Sequence, residues 1–236
     1  MSQHYLHRHL TPAVGEAQQE AYGQPTYVVP DATEPDRLGA REIAFIGARD
    51  SFYLASITET GAPYIQHRGG PVGFLRVLDE RTLGFADYGG NRQLLTTGHL
   101  RADPRLALFL MDYPNRRRLK LDGSGEVVPL EAEPALRDRL LQADPGAAEV
   151  ERLFRIHVEA FDWNCPQFIT PRFSAAEVES AMQPLRQRIA ELEAEVGRLR
   201  SPERDRESAE AGASPLMWTQ DGAAHGRCGH QSGLST

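Results

Sequence analysis

The sequence predicts a mainly-β fold with α elements (α+β): an antiparallel barrel built with short helices, followed by a separate heptad helix. Three observations predict it. Short apolar segments recur from Phe52 to Phe161, divided by turns rich in Gly, Pro, Asp and Asn. Only two short stretches between those segments, Asn91–Leu100 and Pro134–Gln142, read as helices. Few helices among many short strands point to one antiparallel unit rather than an alternating βα sheet. Beyond it, Val178, Met182, Leu185, Ile189, Leu192, Val196 and Leu199 recur at alternating spacings of four and three.

Taken in order, residues 1–36 read as a flexible N-terminal extension, because Pro12, Gly15, Gly23, Pro25, Pro30 and Pro35 interrupt any periodicity. His4, His7 and His9 lack a nearby Cys or carboxylate partner, so no metal site is expected there. Arg37–Arg49 carries a helical apolar stripe. Phe52–Thr58 is aromatic and β-branched with both faces apolar, which suits a strand buried on both sides. The turn at Glu59–Pro63 returns it through Tyr64–Arg68 as a hairpin. Phe74–Leu78 and Thr82–Ala86 are the next strands, turning at Asp79–Arg81. Asn91–Leu100 is a helix, stopped at Asp103-Pro104. Arg105–Asp112 is again apolar on both faces. Arg116–Asp122 alternates Leu119 and Leu121 against Arg118 and Lys120, a half-exposed strand. Gly123–Leu130 continues the sheet after a bend, Pro134 opens a helix, Leu153–Phe161 is the last strand, and Trp163–Gln167 is a loop. Pro184 kinks the heptad helix or delays its start. Its narrow stripe suits a coiled coil with a second copy, and packing against the barrel stays open.

Composition narrows the function. The longest purely apolar run, Leu106–Met111, is too short to span a bilayer, and the N-terminus has no signal-peptide core. Two cysteines, Cys165 and Cys228, form no disulfide framework and fit a reducing cytoplasm. A net charge of −7 argues against nucleic-acid binding. That charge is uneven. Residues 61–122 hold ten basic and six acidic side chains, a local +4 in an otherwise acidic chain, which hints at an anionic ligand. Lys120 is the only lysine, so a Schiff-base enzyme has one candidate, and no Gly-Lys-Ser/Thr P-loop exists. His225, Cys228 and His230 lie in a coreless tail and are not expected to hold a metal.

Four clusters could carry chemistry. Asn91-Arg92-Gln93 opens a helix after a strand, where free N–H groups and an arginine attract phosphate; the plainer reading is an N-cap beside a surface arginine. Gln66 and Arg68 share one strand face and His67 the other. Gly69-Gly70 then admit a flat ligand or simply bend a barrel corner. Arg116-Arg117-Arg118 adds anion contacts or is solvated surface. Trp163 caps a ring or sits in the core.

In joint order these residues resemble the pyridoxamine 5'-phosphate oxidase-like, flavin-binding split-barrel family from about Phe45 to Val128. The resemblance is carried by Gly61-Ala62-Pro63-Tyr64, the Thr82–Ala86 strand, Gly90-Asn91-Arg92-Gln93, Arg101–Leu110 and Arg118–Gly123. Trp163–Arg172 is similar to the C-terminal segment of a subgroup. The resemblance implies a split barrel with flavin mononucleotide (FMN) at a homodimer interface, acting on a small molecule. Where relatives have Ser-Arg-Lys for the phosphate, this chain has Asn91-Arg92-Gln93, which keeps the arginine and loses a lysine. Arg118 falls where the oxidase has a glutamine, and Arg68-Gly69-Gly70 departs from its apolar-plus-lysine pattern. Those departures count against vitamin B6 oxidation itself. The expected cofactor set is Gln66, His67, Arg68, Gly69, Asp87, Asn91, Arg92, Gln93, Arg118, Trp163 and Gln167, with Trp163 and Gln167 reaching from the partner. No side chain is named as a catalytic acid or base, since in such sites the flavin performs the transfer.

The resulting expectation is a cytoplasmic, homodimeric FMN-binding oxidoreductase. Its segments are an extension (1–36), a barrel domain (37–173), a coiled-coil helix (174–204) and a disordered tail (205–236). The alternatives are a non-enzymatic flavin- or haem-binding sensor or carrier that uses the heptad helix for interaction, and a deazaflavin-dependent reductase.

Overall fold

A computed structural model describes residues 2–24, 28–141, 149–163 and 166–211, with side chains as far as 200. The chain divides into two compact units, residues 1–173 and 174–236. The first holds helices α1 (Gln3–His9), α2 (Pro12–Tyr22), α3 (Ala40–Gly47), α4 (Leu95–Ala102) and α5 (Pro134–Leu140). Its strands are β1 (Ser51–Ile57), β2 (Pro63–Gly69), β3 (Arg76–Asp79), β4 (Thr82–Tyr88), β5 (Arg105–Asp112), β6 (Arg117–Val128) and β7 (Val150–Trp163). The second unit is α6 (Ala175–Ala211).

The seven strands form one antiparallel sheet in the order β2-β1-β5-β6-β7-β4-β3. The sheet curls into a split barrel, with its inward side chains gathered in one core. Phe52 of β1, Leu108 of β5, Leu121 of β6, Phe154 of β7 and Phe85 of β4 are each at most 2% exposed within it. Phe85 stacks on Phe154 at 4.7 Å, and Phe52 meets Phe85 edge-on at 5.4 Å. Each such ring contributes about 1.5–3 kcal/mol by leaving water. Together they hold strands from both ends of the sheet.

Local chemistry sets the elements. The β1–β2 hairpin runs from Ile57↔Pro63 to Ser51↔Gly69. Its turn is closed by Thr58 Oγ1, which accepts from the Ala62 N–H at 2.9 Å, and by Gly61 at φ 86°. α3 starts where the Glu42 carboxylate accepts from the Gly39 N–H at 3.0 Å. α5 has Pro134 in its first turn, where a missing N–H costs nothing. β6 is one twelve-residue strand, not two segments, although its register against β7 shifts between Asp122 and Gly123. A Cβ at Gly123 would lie 2.0 Å from the His157 carbonyl oxygen, so only glycine fits the bulge.

Other expectations need correction. β1 and β5 are buried on one face rather than two: Phe52, Leu54 and Ser56 point in, while Tyr53 is exposed. Their outer faces, although apolar in part, are not covered among the described residues. Residues 1–36, expected as an extension without periodicity, form α1 and α2. Thr11-Pro12 starts α2 and Gly23, left-handed at φ 75°, ends it. α1 lies against the outer face of β6 and β7. There Arg8 Nε donates to Asp122 at 2.7 Å and the Lys120 ammonium sits 4.6 Å from the Tyr5 ring centre. His4 and His7 direct Nδ1 to the carbonyl oxygens of Ala32 and Pro30. α6 begins before Pro184 and runs through it, and it continues past residue 204 to Ala211. The tail beyond 211, including His225, Cys228 and His230, lies outside the described residues, as do Cys165 and Gln142. Among the described residues no helix is long and apolar enough to cross a membrane.

Candidate functional site

The split in the barrel is the site. β2 is an edge strand, and alternation along it turns Tyr64, Gln66 and Arg68 inward and leaves Ile65 and His67 outside. β4 runs two residues past Ala86, so Asp87 lies across from Arg68. Arg68 Nη1 donates to Asp87 Oδ1 at 2.6 Å. Asp87 also pairs in register with Arg152 on β7, whose Nη1 donates to Oδ2 at 3.1 Å. Arg152 in turn bridges Glu151. The Arg68 guanidinium lies 5.3 Å from the Phe154 ring, with its Nε buried and unpaired. Burial pushes the Asp87 carboxyl above its usual 3.8, a push reinforced by Glu151 and only partly offset by the pull of Arg68 and Arg152.

These groups border a cleft of about 190 Å3. Its other wall is the loop between β4 and α4. That loop is not a helix N-terminus, contrary to the sequence reading, because α4 starts only at Leu95. Asn91 Oδ1 accepts from the Gln93 N–H at 3.1 Å, a side-chain turn that competes with helix. Arg92 (φ 60°) and Leu94 (φ 54°) then adopt the left-handed conformation, which costs roughly 1–2 kcal/mol per residue. Such strain is held by surrounding structure and clusters at ligand sites. Arg92 lines the cleft and has no hydrogen-bond or ion-pair partner among the described residues. Of the charged lining groups, Arg68 and Arg152 are matched by Asp87 and Glu151. Arg92 remains as the unmatched cation.

Gln66 is oriented from behind. Thr96 Oγ1, on α4, donates to Gln66 Oε1 at 2.9 Å, which leaves the amide N–H2 for a ligand acceptor. Ser56 Oγ and His99 Nδ1 are 2.9 Å apart beneath Tyr64, whose ring meets His99 edge-on at 5.2 Å.

The structure therefore brings together Gln66, Arg68, Asp87, Asn91, Arg92 and Gln93 of the expected set. It does not bring the rest to this cleft. His67 lies on the outer face against Tyr53, at 5.7 Å. Gly69 precedes a corner where a Cβ on Gly70 would meet the Phe74 ring at 2.7 Å, so packing alone explains that glycine. Arg118 is half-buried on β6, far along the sheet from β2 and β4. Trp163 is the last residue of β7 rather than a loop residue. It donates Nε1–H to Glu42 at 2.7 Å and packs edge-on against Phe45 at 4.7 Å. Gln167 is exposed. Sequence reasoning missed Tyr64, Thr97, Glu151 and Arg152 as lining residues. Arg152 is 65 positions from Asp87, and only the strand order makes them neighbours.

The antiparallel sheet, closed into a split barrel with a cleft at its opening, defines an α+β split-barrel fold. The family model for pyridoxamine 5'-phosphate oxidase matches residues 41–162, just over half the chain, and the chain belongs to that family. Among solved structures, HupZ from Group A Streptococcus superposes with a TM-score of 0.44 at 15% identity, covering 58% of this chain and 100% of that chain. A putative pyridoxamine 5'-phosphate oxidase from Lactobacillus delbrueckii gives 0.41 at 17%, over 53% and 93%. An FMN-binding protein from Syntrophomonas wolfei gives 0.39 at 11%, over 52% and 83%. No curated protein matches the chain.

Proposed function

We propose that this chain is an FMN-binding oxidoreductase working as a homodimer, with the flavin phosphate at the Asn91-Arg92-Gln93 loop and the ring system toward Gln66 and Arg68. The observation that carries the reading is the unmatched Arg92 in a cleft whose other arginines are neutralised. An unpaired guanidinium on a strained loop suits a phosphate dianion, and charge-assisted contacts of this kind are about twice as strong as neutral ones. Membership of the pyridoxamine 5'-phosphate oxidase family supports a flavin as the anion's owner.

The bound flavin would supply hydride or electron transfer to a small molecule. The chain's own residues bind and orient it. Arg92 holds charge, Gln66 offers an amide donor fixed by Thr96, and the Arg68–Asp87–Arg152 bridge keeps the cleft walls at a set separation. No side chain is assigned as acid or base. The homodimer is supported by two features. The cleft of about 190 Å3 is small for a whole flavin nucleotide. The outer sheet face presents Tyr53, Ile65 and half-buried Phe109 in adjacent register, an apolar surface of the kind a second copy covers.

The second reading, a non-enzymatic flavin- or haem-binding sensor or carrier, is favoured by the exposed apolar stripe of α6. Denaturing the purified full chain and identifying the released cofactor by spectrum and mass tests both, and separates FMN from deazaflavin. FMN reducible by NAD(P)H with turnover is the expected result. Bound cofactor without turnover favours the carrier. A chain that releases no flavin and does not quench added FMN at micromolar concentration defeats the proposal.

A further inference from the structure

The geometry points to α6 as one strand of a parallel, in-register, two-stranded coiled coil whose other strand is α6 of a second copy of this chain. This deepens the homodimer reading, and its test reads chain association without reference to flavin.

Side chains of the stripe, from Val178 to Leu199, are between 40% and 68% exposed. With Met182, Ile189 and Val196 at heptad position a, Val178, Leu185, Leu192 and Leu199 fall at d. Two β-branched residues at a with leucines at d favour two parallel strands, because the a and d holes of a parallel dimer select those shapes. The stripe stops where it should: the next a position is Glu203. Pro184 falls at c, away from the seam, so it does not obstruct the partner. Ser174 and Glu177 cap the start of the helix reciprocally, with the Ser174 N–H donating to Glu177 at 2.7 Å and the Glu177 N–H to Ser174 Oγ at 3.2 Å.

Charge complementarity names the occupant and its register. In a parallel dimer each g residue faces the e residue five places on in the second copy. Arg188 (g) then meets Glu193 (e), and Glu195 (g) meets Arg200 (e). Sliding one helix by a heptad sets Arg188 against Arg186 or Arg200, and Glu195 against Glu193, all like charges. Within one chain Arg188 bridges Glu191 at 3.0 Å, an exposed pair that the interchain contact can share. The alternating signs thus accept a second copy at one register and reject its neighbours.

Because α6 starts two residues after Phe173, a parallel coil sets the starts of the two α6 helices at about the 8–10 Å spacing of packed helices, with each barrel domain only a short link away. A link that short gives an effective concentration on the order of millimolar.

The test uses the full chain with Cys165→Ser and Cys228→Ser, carrying either Leu185→Cys or Leu192→Cys, oxidised at low protein concentration. Both d-position variants should form a covalent dimer in most molecules, and a Gln187→Cys control at the outer f position should not. An antiparallel pair can align at most one of the two, so cross-linking at one position alone overturns the orientation. Cross-linking at neither, with the chain still dimeric by sedimentation, overturns the coil. In the parent chain Leu185→Glu with Leu192→Glu should raise the dimer dissociation constant at least tenfold while β-sheet circular dichroism is kept. An unchanged constant overturns the proposal, whatever the chain does with flavin.

Discussion

Arg68 and Asp87 are joined at 2.6 Å although their strands stand first and sixth in the sheet and share no ladder. The bridge is a clasp across the split, made where backbone hydrogen bonds cannot be. Arg152, from β7, holds the same carboxylate from the other side.

Removing the carboxylate should therefore cost more than removing its charge. Asp87→Ala leaves the mostly buried Arg68 without an ion-pair partner and Arg152 with Glu151 alone, a loss of about 2–3 kcal/mol. Asp87→Asn keeps an acceptor for Arg68 and should cost less. Urea unfolding with unchanged slope checks the order; Asp87→Ala as stable as the parent would mean the clasp contributes nothing.

Arg92→Ala should weaken FMN binding about 10- to 100-fold, the worth of one charge-assisted contact of roughly 1.5–3 kcal/mol. The thermal midpoint should not fall, because Arg92 has no partner to lose and alanine does not relieve the left-handed backbone. Flavin fluorescence titration and a thermal melt of the same variant read the two effects separately. Equal affinity would move the phosphate site.

Two aspartates should have midpoints shifted in opposite directions. The Arg105 guanidinium beside Asp103 holds its carboxyl down at about 2, while burial holds Asp87 above 3.8. For Asp103 the folded value lies below the unfolded one, so its contribution is present above 3.8 and is lost as pH falls toward about 2. For Asp87 the folded value is the higher, so its contribution is full below 3.8 and is lost as pH rises through the folded value. Carboxyl carbon shifts followed by NMR from neutral to acid pH should place one midpoint on each side of 3.8; the reverse order would contradict the burial of Asp87.

Gly123→Ala should destabilise the barrel by about 2–3 kcal/mol or prevent folding, since the new methyl collides with the His157 backbone rather than a movable side chain. Gly90→Ala, in open space at the cleft, is the control and should be near neutral in a chemical melt.

Most strands were legible in the sequence because each is a short apolar or alternating segment bounded by glycine, proline or aspartate, as in the β1–β2 hairpin and β5. The heptad stripe was legible from its helical period. The sidedness of β1 was not legible, since Tyr53 and Ala55 look as buried as Phe52 until β1 is known to lack an outer covering layer among the described residues. Asn91-Arg92-Gln93 borders the cleft, but the helix expected to open there starts only at Leu95, after an asparagine turn and two left-handed residues. Arg152 was invisible because it is one of several charged residues along β7 and gains meaning only from its register with Asp87. Trp163 read as core by default, with a ring cap as the alternative; its bond to Glu42, 121 positions earlier, ties it to α3 and could not be read from the sequence.

α1 gives the molecule an unusual chemical signature. The chain's one lysine, Lys120, is three-quarters hidden, paired with Asp162 at 3.2 Å and roofed by Tyr5. Its only side-chain amine thus sits beneath the Tyr5 ring of α1. Acylation at that single nitrogen would therefore report whether the helix stays on the sheet.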